Sequence, residues 1–128
     1  MFWRRETLSM NMSTFKRDLL RLFDSMYKEV FHFGLKRLTI DVIGNKIMIV
    51  GEHSRLPGLT ILDKSNRFVT RMTDIALLDE CKIRLREKIE DNLRDVKVST
   101  VLNDYDPATE IAVTVIITER KLQEIFSE

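Results

Sequence analysis

Apolar residues along this chain change their spacing repeatedly, and each change marks a new element. From Ser13 to Phe33, the residues Phe15, Leu19, Phe23, Met26, Val30 and Phe33 recur every three or four positions. That is the stripe of an amphipathic helix, widened here by Leu20, Tyr27 and Phe31. Ser13 reads as its N-cap and Gly34 as the residue just past its end, where a left-handed backbone costs glycine little. The period then falls to two: Leu38, Ile40 and Val42 alternate with Arg37, Thr39 and Asp41, a half-buried strand. Gly44-Asn45 suits a tight hairpin turn, and Lys46 to Gly51 returns as a nearly all-apolar strand.

Residues 52–66 are the least regular. Pro57-Gly58 punctuates them, and Leu59 to Leu62 fits a short helical turn. From Asn66 the helical period resumes through Phe68, Met72, Ile75, Leu78, Cys81, Leu85, Ile89 and Leu93. An unbroken helix of this length spans about 40 Å, more than a small sheet covers, so it is expected to bend or to take part in a dimer. Val96, Val98, Thr100 and Leu102 alternate as a third strand. Asp104-Tyr105-Asp106-Pro107 reads as a polar turn, and Ile111, Val113, Val115 and Ile117 form a fourth strand. A short helix from about Arg120 to Phe126, capped by Thr118, is expected to close the chain. The order α-β-β-α-β-β-α predicts an α+β fold: two β-hairpins in a mostly antiparallel four-stranded sheet, packed by a long central helix and an N-terminal helix. Residues 1–11 read as a flexible N-terminal arm and 12–128 as a single domain.

Composition narrows the class. The 128 residues, 44% hydrophobic and 32% charged, suffice for one globular domain with its own core. A single cysteine rules out an internal disulfide and fits a reducing compartment. No apolar run is long enough to span a membrane, and Arg4, Arg5 and Glu6 interrupt the apolar stretch that a signal peptide needs. The net charge of +1 is far from that of a dedicated nucleic-acid binder.

Candidate chemistry is sparse. His32 and His53 are the only histidines and Cys81 is remote from both in sequence, which is too little for a zinc site. Cys81 lies on the apolar stripe and reads as core. Asp104 and Asp106 lack the spacing of a calcium loop. No nucleophile–base pair or phosphate-binding glycine loop is visible, so no catalytic residue, metal or cofactor is predicted. Arg71, beside the stripe, fits either a structural bond to strand carbonyls, Asp63 or Asp74 or a contact to an anion or a partner carboxylate. With Arg55, Asp63 and Lys64 it makes up the candidate contact set, on the segment Gly51 to Asn66 and the start of the long helix. Lys16, Arg17, Arg21 and Lys28 decorate the first helix, compatible with peripheral attachment to an anionic membrane, but Asp18, Asp24 and Glu29 share it and favour a solvated face. Leu77 and Ile83 off the main stripe, and apolar residues on both faces of the last strand, including Ala112, Thr114 and Ile116, predict a homodimer.

Several of these features resemble the MpsC-like family. They are Phe33-Gly34-Leu35-Lys36 at the end of the first helix, the hairpin Ile40 to Val50 around Gly44-Asn45, and Val69 and Arg71 early in the long helix. Ile89-Glu90 ahead of Val96-Lys97-Val98, and Asp104 to Asp106 ahead of Ile111 to Ile117, complete the match, which runs to about Glu119. Many members carry Leu-Thr-Pro-x-Glu after the second strand, where this chain has Leu59-Thr60-Ile61-Leu62-Asp63 without the proline and glutamate. The resemblance implies a non-enzymatic, cytoplasmic accessory or regulatory protein that binds membrane subunits of a bacterial ion or inorganic-carbon transport system, at the inner face of the cell membrane. The alternatives are a small enzyme using a cleft around Arg71, Asp41 and Asp104, or a nucleic-acid-binding regulator. Against the last stands the near-neutral charge.

Overall fold

The computed structural model describes residues 11–127; most of the expected N-terminal arm lies outside them. The chain forms helix α1 (Met12–Phe31), strands β1 (Lys36–Ile43) and β2 (Lys46–Glu52), helices α2 (Pro57–Ser65) and α3 (Arg67–Asn92), strands β3 (Val98–Asp106) and β4 (Ile111–Thr118), and a 3-10 turn at Leu122–Glu124. The sheet order is β1-β2-β4-β3, and every pairing is antiparallel. This is the expected α+β fold. Among the described residues no helix is long and apolar enough to cross a membrane.

Helix α1 starts earlier than the Ser13 cap predicts. Asn11 is the N-cap and accepts a hydrogen bond from the Thr14 amide at 3.0 Å, while the Met12 amide donates to the Ser127 carbonyl at 2.7 Å. Asn11, assigned above to the arm, thus ties the two ends of the fold together. At the other end His32, not Gly34, takes the left-handed cap with φ 66°. Gly34 instead passes close to α1: a Cβ there would lie 2.5 Å from Asp24 Oδ1, so the Asp24 side chain would have to turn aside. Gly44 occupies the β1–β2 turn with φ +62°, as its backbone freedom allows.

Inward-facing residues of the sheet meet α1 and α3 in one core. Phe15, Leu19, Phe23 and Met26 of α1 and Leu85 and Ile89 of α3 pack with Ile47, Ile49 and Ile116, and Phe126 from the C-terminus stacks on Phe15 at 4.3 Å. Cys81 belongs to this core; burial pushes its thiol up to about 12, so it stays protonated.

Four expectations about the second hairpin and the C-terminus are corrected. Asp104, Tyr105 and Asp106 are not a turn but the end of β3, paired with Val113, Ala112 and Ile111. Tyr105 is drawn inward and the chain reverses only after Asp106. An irregularity between Val98 and Thr100 breaks the alternation, so Val101 is buried and Leu102 is exposed. Ala112, Thr114 and Ile116 face the core, whereas Ile111, Val113, Val115 and Ile117 take the opposite face. The expected C-terminal helix is only the 3-10 turn. The Thr118 hydroxyl donates to the Arg120 carbonyl at 2.7 Å, and the Thr118 amide to that of Asn45 at 2.9 Å, so Thr118 pins the chain to the β1–β2 turn instead of capping a helix.

Candidate functional site

The irregular stretch after β2 folds into more structure than Pro57-Gly58 promised. Proline at the first turn of α2 has no amide to waste and a backbone angle already helical, and α2 runs on to Ser65. Yet α2 buries none of its residues. A helix this short is not stable through its own hydrogen bonds, so its position must come from another source.

That source is Arg55. Its guanidinium forks onto Asp63, with Nη2 to Oδ1 at 2.7 Å and Nε to Oδ2 at 3.0 Å, and its Nη1 donates to Asp74 Oδ1 at 2.7 Å. The Arg55 side chain is 5% exposed and that of Asp74 6%. The Arg55 amide donates to Glu110 Oε2 at 2.7 Å, and the guanidinium carbon lies 5.5 Å from the centre of the Tyr105 ring. Arg67 closes the cluster from the start of α3, donating to Thr70 Oγ1 at 3.0 Å and lying 3.4 Å from Asp63. Two arginines face two aspartates, so the formal charge cancels. A planar donor fork matches carboxylate geometry in a way lysine cannot. The bonds from Arg55 hold the Asp63 carboxyl down to about 2. The same bonds raise the Arg55 guanidinium against the opposing effect of burial.

An aromatic box adjoins this clamp. His53 follows β2 and is 7% exposed. Its ring lies 4.7 Å from that of Phe31, 5.1 Å from Phe33 and 4.8 Å from Tyr105. Tyr27 Oη makes a short hydrogen bond to His53 Nδ1, and Tyr105 Oη donates to the His53 carbonyl at 2.8 Å. Burial, then the Arg55 charge, depresses the imidazole. Burial also raises Tyr27, and pushes Tyr105 up to about 12. With both rings neutral, the Tyr27 hydroxyl donates and Nδ1 accepts. Between Tyr27, Phe31, His53, Asp74, Leu77, Leu78 and Tyr105 lies a cavity of about 20 Å³, room for a single water.

The four candidate residues are placed as follows. Arg55 and Asp63 bind each other inside the clamp. Arg71 does not reach Asp63 or Asp74; its Nη1 donates to Asp104 Oδ1 at 3.0 Å, tying α3 to β3 at the surface. Lys64 is exposed on α2. Asp41 and Asp104 stand on the two edge strands β1 and β3, so the cleft imagined around Arg71, Asp41 and Asp104 is not assembled. Among the described residues no group of three or more His, Cys, Asp or Glu side chains is placed to hold a metal ion.

Residues outside the candidate contact set carry much of the site: His53, Asp74, Tyr105 and Tyr27. One signal was present for His53, because the inward alternation Ile47, Ile49, Gly51 continues to it. Comparison of the chain with protein-family models, with curated proteins and with solved structures finds no match.

Proposed function

We propose that the protein is a non-enzymatic accessory module that docks onto another protein through the α2–α3 hairpin. One observation carries this reading. Leu56, Ile61, Leu62, Phe68, Val69 and Met72 all lie exposed on or beside the hairpin, Phe68 at 75% and Met72 at 50%. Phe68 and Met72 are one turn apart and share a face of α3. Exposed apolar side chains gathered in this way mark interaction surfaces, and aromatic and methionine anchors are favoured there. The Arg55 clamp holds the hairpin in one geometry, which lowers the ordering cost of binding.

The MpsC-like resemblance supplies the partner class: a membrane subunit of a bacterial ion or inorganic-carbon transport system, met from the cytoplasmic side. The test is crosslinking and purification of the tagged protein from its native host, with Phe68→Glu and Met72→Glu variants in parallel. A transporter subunit captured by the parent chain and lost from both variants is the expected result. If no membrane protein is captured, and a deletion strain keeps normal membrane potential and normal growth at low carbon dioxide, the reading falls and the enzyme alternative takes its place.

A further inference from the structure

The sheet has two edge strands, β1 and β3, and the chain treats them differently. The edge of β3 is closed. An irregularity between Val98 and Thr100 breaks its line. Arg86 Nη2 donates to the Val98 carbonyl at 2.7 Å and to that of Ser99 at 3.1 Å, and Asp104 Oδ1 accepts from the Tyr105 amide at 2.8 Å. A bulge and charged side chains are devices that blunt an edge against a further strand. Strand β1 has a bulge only at its start, between Lys36 and Thr39, where Arg37 is ion-paired with Glu52. Residues 39–43 are regular, and the ladder shows which of their backbone groups lie open. The Thr118 amide donates to the Asn45 carbonyl, and the His53 amide to that of Glu110. Ile47, Ile49 and Gly51 therefore bond to β4, while Lys46, Met48 and Val50 bond to Ile43, Asp41 and Thr39. Ile40 and Val42 turn their N–H and C=O groups away from β2, and among the described residues nothing bonds to them.

We infer that the edge at residues 39–43 is a docking slot for an extended segment of a partner protein. The segment pairs antiparallel to β1, with apolar residues opposite Ile40 and Val42 and a lysine or arginine between them, opposite Asp41. Each part of that description rests on its own observation. Alternating donors and acceptors along a strand edge fit another extended backbone. The Ile40 and Val42 side chains are half-buried against the flank of the core, so apolar side chains opposite them extend the core sideways. Asp41 is exposed and among the described residues is in no ion pair. Lys46, its diagonal neighbour on β2, bonds instead to Asn45 Oδ1 at 3.2 Å. The residue opposite Asp41 would sit at a position without backbone bonds, where side chains of an antiparallel pair come closest, and an opposite charge is favourable there. A second copy of β1 fits less well. A two-fold axis at Asp41 sets two carboxylates against each other. With the axis at Ile40 the ladder runs into the bulge at Arg37, and with the axis at Val42 it runs into the turn at Gly44. The slot shares no residue with the α2–α3 hairpin, so it is a second docking surface.

Fluorescence anisotropy tests the slot. The full chain is titrated to about 500 µM, the weak range that a contact this small calls for, against a labelled peptide Ser-Gly-Thr-Val-Lys-Val-Thr-Gly-Ser. Saturable binding is expected. Methylating the two valine amides of the peptide, which face β1, should abolish it, whereas methylating the lysine amide, which points away, should not. Asp41→Lys should weaken binding about fivefold or more, and a peptide with glutamate in place of the lysine should regain it on that variant. Val42→Pro removes an N–H that faces the open edge, where strands tolerate proline. It should abolish binding and leave the far-ultraviolet circular dichroism spectrum unchanged; if it unfolds the chain, the methylated peptides on the parent chain decide. Absence of saturable binding to the parent chain overturns the proposal. So does binding indifferent to methylation of the valine amides, or binding that a folded Val42→Pro variant retains. A parent chain that ignores the peptide but self-associates in sedimentation equilibrium, and loses this in Val42→Pro, gives the edge to a second copy and overturns the partner assignment.

Discussion

The two halves of α3 sit in the same helix and are held by opposite kinds of force. From Leu78 onward its inner face is apolar: Leu78, Cys81, Leu85 and Ile89 are buried. Before Leu78 the buried positions are Thr70 and Asp74, and the apolar residues Phe68, Val69 and Met72 are turned out to solvent. In the second half, burial of apolar surface is non-directional and tolerates changes that conserve volume. In the first half, attachment rests on a few directed bonds from Arg55, and removing one partner leaves a charge buried without compensation. The difference explains how this helix displays a phenylalanine and a methionine: the polar clamp does the anchoring, so the apolar side chains are free for another use.

The largest test of this contrast is Arg55→Met. It leaves the buried Asp74 with only Arg67, whose Nη1 lies 3.5 Å from its Oδ2, and should cost about 3–5 kcal/mol, the scale for breaking a buried pair. Amide hydrogen exchange should quicken mainly in α2 and the first half of α3. Equal quickening throughout α3 would show that the two halves do not stand on separate supports. Leu85→Ala comes next. Its side chain is 1% exposed, and truncation should cost about 2–4 kcal/mol by urea denaturation, with faster exchange across the second half of α3 and the strands beneath it.

Acid sharpens the comparison, because His53 and Asp63 belong to the clamp side, while the other two depressed carboxyls, Glu29, bonded by Lys88, and Asp104, bonded by the Tyr105 amide, lie in exposed pairs that contribute little. The folded chain binds fewer protons than the unfolded chain wherever the pH lies between the folded and unfolded values, so stability falls on acidification. His53 imposes no penalty above its ordinary 6.5 and a growing one below it. Asp63 contributes fully above its ordinary 3.8, and its contribution is lost as the pH falls through about 2. Urea midpoints measured from neutral to strongly acid pH should therefore drop in two stages. His53→Asn, whose amide oxygen can stand in for Nδ1 as the acceptor for Tyr27, should remove the upper stage and leave the lower. A profile flat between pH 7 and 5 in the parent chain would contradict the neutral, buried imidazole.

The smallest effect is expected from Arg71→Ala. Its bond to Asp104 joins side chains 39% and 67% exposed, and such pairs contribute about 0–1 kcal/mol. A loss above about 2 kcal/mol in the same urea experiment would mean that Arg71, and not Arg55, anchors the first half of α3.

The α+β order and both hairpins were legible because they rest on local periodicity. Gly44-Asn45, the alternation in β1 and the stripe of α1 each reflect a choice made within a few residues, and the structure keeps them. Boundaries were less so. Asn11 outcompeted Ser13 as a cap because the Met12 amide has a partner at Ser127, a residue at the far end of the chain. Asp104-Tyr105-Asp106 reads as a turn by composition, yet the Tyr105 hydroxyl has an acceptor on His53, and that holds the segment in the sheet. The stripe of α3 was traced correctly from Leu78 to Leu93 and wrongly before it, where the apolar pattern through Phe68 and Met72 pointed to the wrong face.

By itself, then, the sequence determined the number, kind and order of the main elements, since hydrophobic period and turn chemistry are properties of neighbouring residues. It also made Arg55, Asp63 and Arg71 visible as charges in an irregular region. Only the tertiary structure decided which of those charges meet. Arg55 is eight residues from Asp63 and nineteen from Asp74, and whether a carboxylate is exposed or buried depends on whether a guanidinium arrives from another segment to neutralise it. The faces of β3 and β4 were decided in the same way: one irregularity near Ser99 reverses every later side chain of β3, because the side-chain period of a strand is two.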